Sequence, residues 1–190
     1  LATAHDNRKG ARSLVALRLR FAALTLLPVT LAACGTSADD GPPAEEGTDH
    51  LIGHVHGLGV NPADDTLYAA GHYGVFRIED GTANRVADRW QDTMAFTIAG
   101  PDTFLASGHP DLREELPPHL GLIESTDAAE TWKPLSLQGE ADFHAIEIVG
   151  DRIYGYDATS GRLMTTTDRE TWETLTRGEY LDLAALPSQP

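Results

Sequence analysis

The sequence predicts an all-β fold built from repeated four-stranded units, and three observations predict it. Beyond residue 50, short apolar runs alternate with Gly, Asp, Asn and Pro clusters, and few stretches follow a 3.6-residue period. Pairs of such runs recur at intervals of roughly 40 to 50 residues, the length of one four-stranded propeller blade. Trp90, Trp132 and Trp172 fall 42 and 40 residues apart, in step with that interval.

The units follow in order. The first opens with VHGLGV at residues 55–60, turns at Asn61-Pro62 and returns along TLYAAG at 66–71. The second runs through MAFTI at 94–98, a Gly100-Pro101-Asp102 turn and TFLASG at 103–108. The third runs through FHAIEI at 143–148, a Gly150-Asp151 turn and RIYGYD at 152–157. A fourth first strand is expected at LDLAALP, residues 181–187. The fold expected for 51–190 is therefore a β-propeller of four-stranded antiparallel blades, about three blades plus the start of a fourth. A closed propeller has at least four blades, so the chain is expected to be a truncated product or a fragment. An obligate partner that completes the ring is the other reading.

Later in the second and third units stand two related turns. Ser125, Asp127, Thr131 and Trp132 have spacing suited to a hairpin stabiliser, and Asp168, Thr171 and Trp172 form a shorter copy. The Asp accepts from turn N–H groups, the Thr adds a further hydrogen bond, and the Trp covers the blade. Glu79-Asp80-Gly81 is a worn remnant of the same turn in the first unit. The pattern resembles the Asp-box, with Ala129 where that motif usually has Gly. Asp-box (BNR-repeat) propellers include sialidases and other secreted glycan-active proteins. The chain more closely resembles a group of actinobacterial lipoproteins labelled glycosyl-hydrolase-like. HVHGLGVNP, GHYGVF, QDTMAFTIAG, SGHPDLREELPP and GYDATSGRLM carry that resemblance across residues 50–187. A sialidase-type enzyme would imply an arginine triad, a Tyr activated by a Glu, and an Asp acid/base. No Arg-Ile-Pro signature is present, no arginine stands at a matching first-strand start, and Tyr73, Tyr154, Tyr156 and Tyr180 are unassigned. Asp-boxes are scaffold and do not certify catalysis.

The first 50 residues carry a different message. Arg8, Lys9, Arg12, Arg18 and Arg20 precede an apolar stretch at 21–31, and Leu31-Ala32-Ala33-Cys34 closes it. This resembles a bacterial lipobox, which makes 1–33 a signal peptide and Cys34 the lipidation site. Cys34 is the only cysteine, so no intramolecular disulfide forms. A diacylglyceryl anchor supplies two chains, enough for stable membrane attachment. Residues 34–50 are rich in Gly, Pro, Asp and Glu and read as an acidic tether, reaching about 50 Å when extended. The expected location is the extracytoplasmic face of the cell membrane.

Charge narrows the partners. Five of 14 basic residues and one of 29 acidic residues precede Cys34, so the remainder carries 9 against 28, a formal net charge of −19. Such a surface repels nucleic-acid phosphates, and no nucleic-acid partner is expected.

The chemistry gathers in the histidines. His54 and His56 open the first strand of blade one, and His144 stands at the equivalent place in blade three, with Met94 in blade two. His72 and His109 each follow the glycine that ends a second strand, and Asp157 holds the neighbouring place in blade three. First strands begin where second strands end in an antiparallel blade, so all six residues are expected at one rim, with the Asp-boxes on the opposite face. Imidazoles with a carboxylate suit zinc or copper. Purely structural hydrogen bonds, and contacts to an organic ligand such as a glycan, are the other readings. A long insertion at 109–119 adds Asp111, Arg113, Glu114 and Glu115 to the same rim, as loop contacts or as a solvated charged loop. The expected function is a membrane-anchored propeller that binds a ligand or metal through its histidine rim. A sialidase-like glycoside hydrolase and an envelope scaffold for protein contacts are the alternatives.

Overall fold

The computed structural model describes residues 52–184 and 186. Cys34 and the segments expected as signal peptide and tether lie outside the described residues. The fold is all-β, and no helix occurs among the described residues. Twelve strands form three four-stranded antiparallel sheets, each a simple meander. Blade one is β1 (Val55–Val60), β2 (Leu67–Gly71), β3 (Gly74–Glu79) and β4 (Thr82–Arg85). Blade two is β5 (Asp92–Gly100), β6 (Thr103–His109), β7 (Leu122–Ser125) and β8 (Lys133–Ser136). Blade three is β9 (Phe143–Val149), β10 (Arg152–Asp157), β11 (Arg162–Thr166) and β12 (Glu173–Arg177).

The first strands stand side by side, β5 between β1 and β9. Apolar residues fill both spaces between blades. Tyr68, Val75, Phe96, Phe104, Leu120 and Ile123 pack between blades one and two. The Phe104 ring takes Tyr68 and Phe96 edge-on, with centroids 4.9 and 5.5 Å away. Leu105, Leu122, Phe143, Ile146, Ile153 and Met164 pack between blades two and three. Successive residues of β6 thus serve opposite faces: Phe104 one core, Leu105 the other. Burying a side chain of this size contributes about 2 to 3 kcal/mol.

The turns joining third to fourth strands lie at the end remote from the histidines. Ser125 Oγ donates to Asp127 Oδ1 at 2.8 Å, and Asp127 accepts from Thr131 N at 2.9 Å and Thr131 Oγ1 at 2.6 Å. Ala129 holds φ +73°, the left-handed conformation that explains why glycine suits this place. In the shorter turn, Asp168 Oδ1 accepts from Glu170 N and Thr171 N at 2.9 and 2.7 Å. These bonds hold the Asp168 carboxyl down at about 2. Asp80-Gly81 occupies the same topological place as a two-residue hairpin, with φ +50° and +75°. Arg169 reaches from the third blade to Glu124 of the second at 2.6 Å, and Trp172 Nε1 donates to Ser136 Oγ at 2.9 Å.

Two expectations are corrected. Trp90 keeps the interval by count but not by structure. It sits in the β4–β5 connection, 42% exposed, beneath the Arg85 guanidinium, whereas Trp132 and Trp172 close third-to-fourth turns. Trp90 lies beyond the Asp80-Gly81 turn rather than in it, and the long β6–β7 insertion makes up the interval to Trp132. Residues 181–184 and 186 form no strand, because no described strand offers them a ladder. Leu183, Ala184 and Leu186 instead line a cleft with Tyr154, Leu163 and Leu175 of blade three.

Candidate metal centres at the blade junctions

Each first strand carries the same irregularity near its start. In blade one, Val55 pairs with Gly71 and Gly57 with Ala70, which leaves His56 without a partner. In blade two, Thr93 pairs with Gly108 and Ala95 with Ser107, leaving Met94. In blade three, Phe143 pairs with Asp157 and Ala145 with Tyr156, leaving His144. An extra residue of this kind bends the strand and re-aims its side chain. Two residues before each bulge stand His54, Asp92 and Asp142.

The second strands end against these bulges, and glycine makes the approach possible. A Cβ on Gly71 would stand 2.5 Å from His54 O, and one on Gly108, at φ +140°, would stand 2.0 Å from Asp92 O. The backbone therefore delivers His72 and His109 directly beside the first strands.

The structure brings the histidines together in two groups rather than one. At the junction of blades one and two, the ligand atoms of His54, His56 and His72 lie within 4.8 Å of one another. Their ring centroids are 4.8, 5.9 and 4.7 Å apart. His72 Nδ1 is 2.9 Å from Asp92 Oδ1, so the carboxylate accepts from Nδ1–H and leaves Nε2 as the lone-pair nitrogen. His56 Nε2 is buried and without a hydrogen-bond partner. Burial pushes the His56 pKa down, and His72, His54 and His144 push the same way against Asp92. Neutral imidazole, the form that ligates metals, is thereby favoured.

At the junction of blades two and three, Asp142 Oδ2 stands 2.9 Å from His144 Nε2, 3.6 Å from His109 Nε2 and 4.0 Å from His119 Nδ1. His109, His119 and Asp142 have their ligand atoms within 4.8 Å of one another. His109 Nδ1 donates to Pro118 O at 2.8 Å, so the insertion folds back onto the histidine that precedes it.

Asp157 is placed in neither group. It is fully buried, and its oxygens accept from Asp142 N at 3.2 Å, from Arg162 at 3.0 Å and from the Ser160 hydroxyl. The loop residues are committed as well. Asp111 accepts from Trp90 N at 3.0 Å and from the Arg113 guanidinium at 2.6 Å, and Arg113 also reaches Asp88 at 2.9 Å. Arg113 holds the Asp111 carboxyl far below the usual carboxylate range. Glu114 pairs with Arg89 at 3.1 Å, and Glu115 is exposed. These contacts fasten the insertion to the β4–β5 connection.

Sequence reasoning missed Asp92, Asp142 and His119 as members of the rim. The signal for the first two was present in HVHGLGV, DTMAFTI and DFHAIEI, where His54, Asp92 and Asp142 align. His119 has no repeat counterpart.

No family model matches the chain, and no curated protein matches it. Among solved structures, the crystal structure of an ancestral GH74 enzyme is similar at 12% identity and a TM-score of 0.43. The similarity covers 65% of this chain and 18% of that one.

Proposed function

We propose that this protein is a lipid-anchored, extracytoplasmic propeller that binds a transition metal, zinc or copper, through His54, His56 and His72. The reading includes kinship with Asp-box propellers and a binding role rather than catalysis. One observation carries it: three imidazoles converge with a ligand atom from each within 4.8 Å of the others, and the His56 ring has a buried nitrogen, Nε2, without a hydrogen-bond partner. A buried polar atom left unpaired costs about 1 to 3 kcal/mol, and a metal ion in the group removes that cost. Three imidazoles with one open position is a ligand set that zinc accepts and that copper also favours. Asp92 supports the group by fixing the His72 tautomer.

Equilibrium dialysis of the full chain against zinc or copper(II), followed by elemental analysis, tests the metal. One equivalent should be lost in His56→Ala/His72→Ala. Equal metal content in that variant and the wild type would sink the reading. Attachment is tested separately in a bacterial host: labelled palmitate should enter the wild type and not Cys34→Ala. Label in neither would overturn the anchor.

A further inference from the structure

We propose that Asp142 nucleates a second, separate metal site, in which His109 Nε2, His119 Nδ1 and an Asp142 carboxylate oxygen hold a divalent cation of zinc type. The proposal extends the metal reading of the rim to residues that the His54 group does not use.

Charge around Asp142 is unbalanced. Four carboxylates are buried among the described residues: Asp111, Glu124, Asp142 and Asp157. Three have a permanent cation. Asp111 has Arg113 at 2.6 Å, Glu124 has Arg169 and Lys133 at 2.6 and 3.1 Å, and Asp157 has Arg162 at 3.0 Å. Asp142 is just as enclosed, its side chain 7% exposed, yet it meets only imidazoles. A buried carboxylate is tolerated when a cation compensates it. Arginine and lysine supply none here, and a metal ion held by the neighbouring imidazoles would supply one.

Unpaired atoms point the same way. Pro118 O can only accept, so His109 Nδ1 donates to it, and the ring's other nitrogen, Nε2, faces Asp142 Oδ2 at 3.6 Å, beyond hydrogen-bonding distance. His119 Nδ1 and Asp142 Oδ1 are both buried without a hydrogen-bond partner. His144 Nε2, at 2.9 Å, donates to Asp142 Oδ2 and orients the carboxylate in the way that outer partners orient metal ligands.

Spacing is compatible. Ligand atoms about 2.0 to 2.2 Å from a tetrahedral ion lie about 3.3 to 3.6 Å from one another. The 3.6 Å separation meets this, the 4.0 Å one needs a shift of a few tenths of an ångström, and the two imidazoles, within 4.8 Å of each other, close by side-chain rotation. Two nitrogens and one oxygen match the three-ligand zinc sites that keep a position open. The absence of sulfur ligands disfavours cuprous copper.

The test is stoichiometry. The full chain, stripped with a chelator and dialysed against zinc, should bind two equivalents. Asp142→Asn should lose one and keep the other, and His56→Ala/His72→Ala should show the converse. His119→Gln provides a second removal, with circular dichroism of the metal-free variants checking the fold. Cobalt(II) gives an independent reading: Asp142→Asn and His119→Gln should each lose about half of the visible absorption of tetrahedral cobalt. Zinc content unchanged in both folded variants would overturn the second site, whatever the His54 group binds. Loss in those variants with none in His56→Ala/His72→Ala would retain the second site and defeat the first reading instead.

Discussion

The two blade junctions share one backbone plan and differ in what it carries. At each, a histidine following a second strand meets an acidic residue two positions before the next blade's bulge: His72 with Asp92 at 2.9 Å, His109 with Asp142 at 3.6 Å. At the first junction the acid takes the ring's Nδ1–H, and the remaining nitrogens come from blade one. At the second, Nδ1 is taken by Pro118 O, and the acid itself stands among three imidazoles. The same aspartate position thus holds a ring by its Nδ1–H in one junction and stands as a candidate ligand in the other.

The comparison can be broken hardest at its glycines. Gly108→Ala combines a steric overlap with a φ that alanine avoids and should destabilise by about 3 kcal/mol. Gly71→Ala has the overlap alone and should cost about 2 kcal/mol. Urea unfolding of both measures the difference, and equal costs would show that the backbone angle contributes nothing. Next comes exchange of the acid at the first junction. Asp92→Asn should weaken zinc binding at the His54 group by about 10- to 100-fold and leave the second junction unchanged. Isothermal titration separates the two sites, and an unchanged affinity would remove Asp92 from its orienting role.

At the far end of the blades the expected effects are acid-specific. The Asp168 carboxyl, held at about 2 by turn N–H groups, lies below its unfolded value of 3.8. Its contribution is therefore complete above about pH 4 and fades as pH falls toward 2. Asp168→Asn should flatten the fall of the urea midpoint across that window, and an unaltered fall would contradict the assigned hydrogen bonds. The smallest effect belongs to Glu115. It is exposed, so Glu115→Ala should shift stability by less than about 0.5 kcal/mol and change neither metal equivalent.

The strand pattern was legible because it is local. Period-two alternation and turn residues mark β1, β2, β5, β6, β9 and β10 within a residue or two of where they lie. The rim was legible in its histidines, because first-strand starts and second-strand ends must coincide. Its acids were not read, since Asp92 and Asp142 stand out only when the three first strands are aligned on their bulges. His119 was unreadable for another reason: its place depends on the Pro117-Pro118 loop folding back onto His109. Trp90 misled because it stands in the connection after β4, and the lengthened β6–β7 loop restored the spacing to Trp132. Residues 181–184 have strand-like composition, but a ladder needs a neighbour, which composition does not supply.

The repeated bulge separates aim from identity. It fixes a direction at residues 56, 94 and 144, and the chain fills the three slots with His, Met and His. Pairing on either side passes over the slot, so its occupant can be exchanged without disturbing the register. Ligand chemistry on this rim is accordingly interchangeable one residue at a time: Met94→His would present a third imidazole from the same backbone, and relatives differing only at these slots would share a scaffold while selecting different ions.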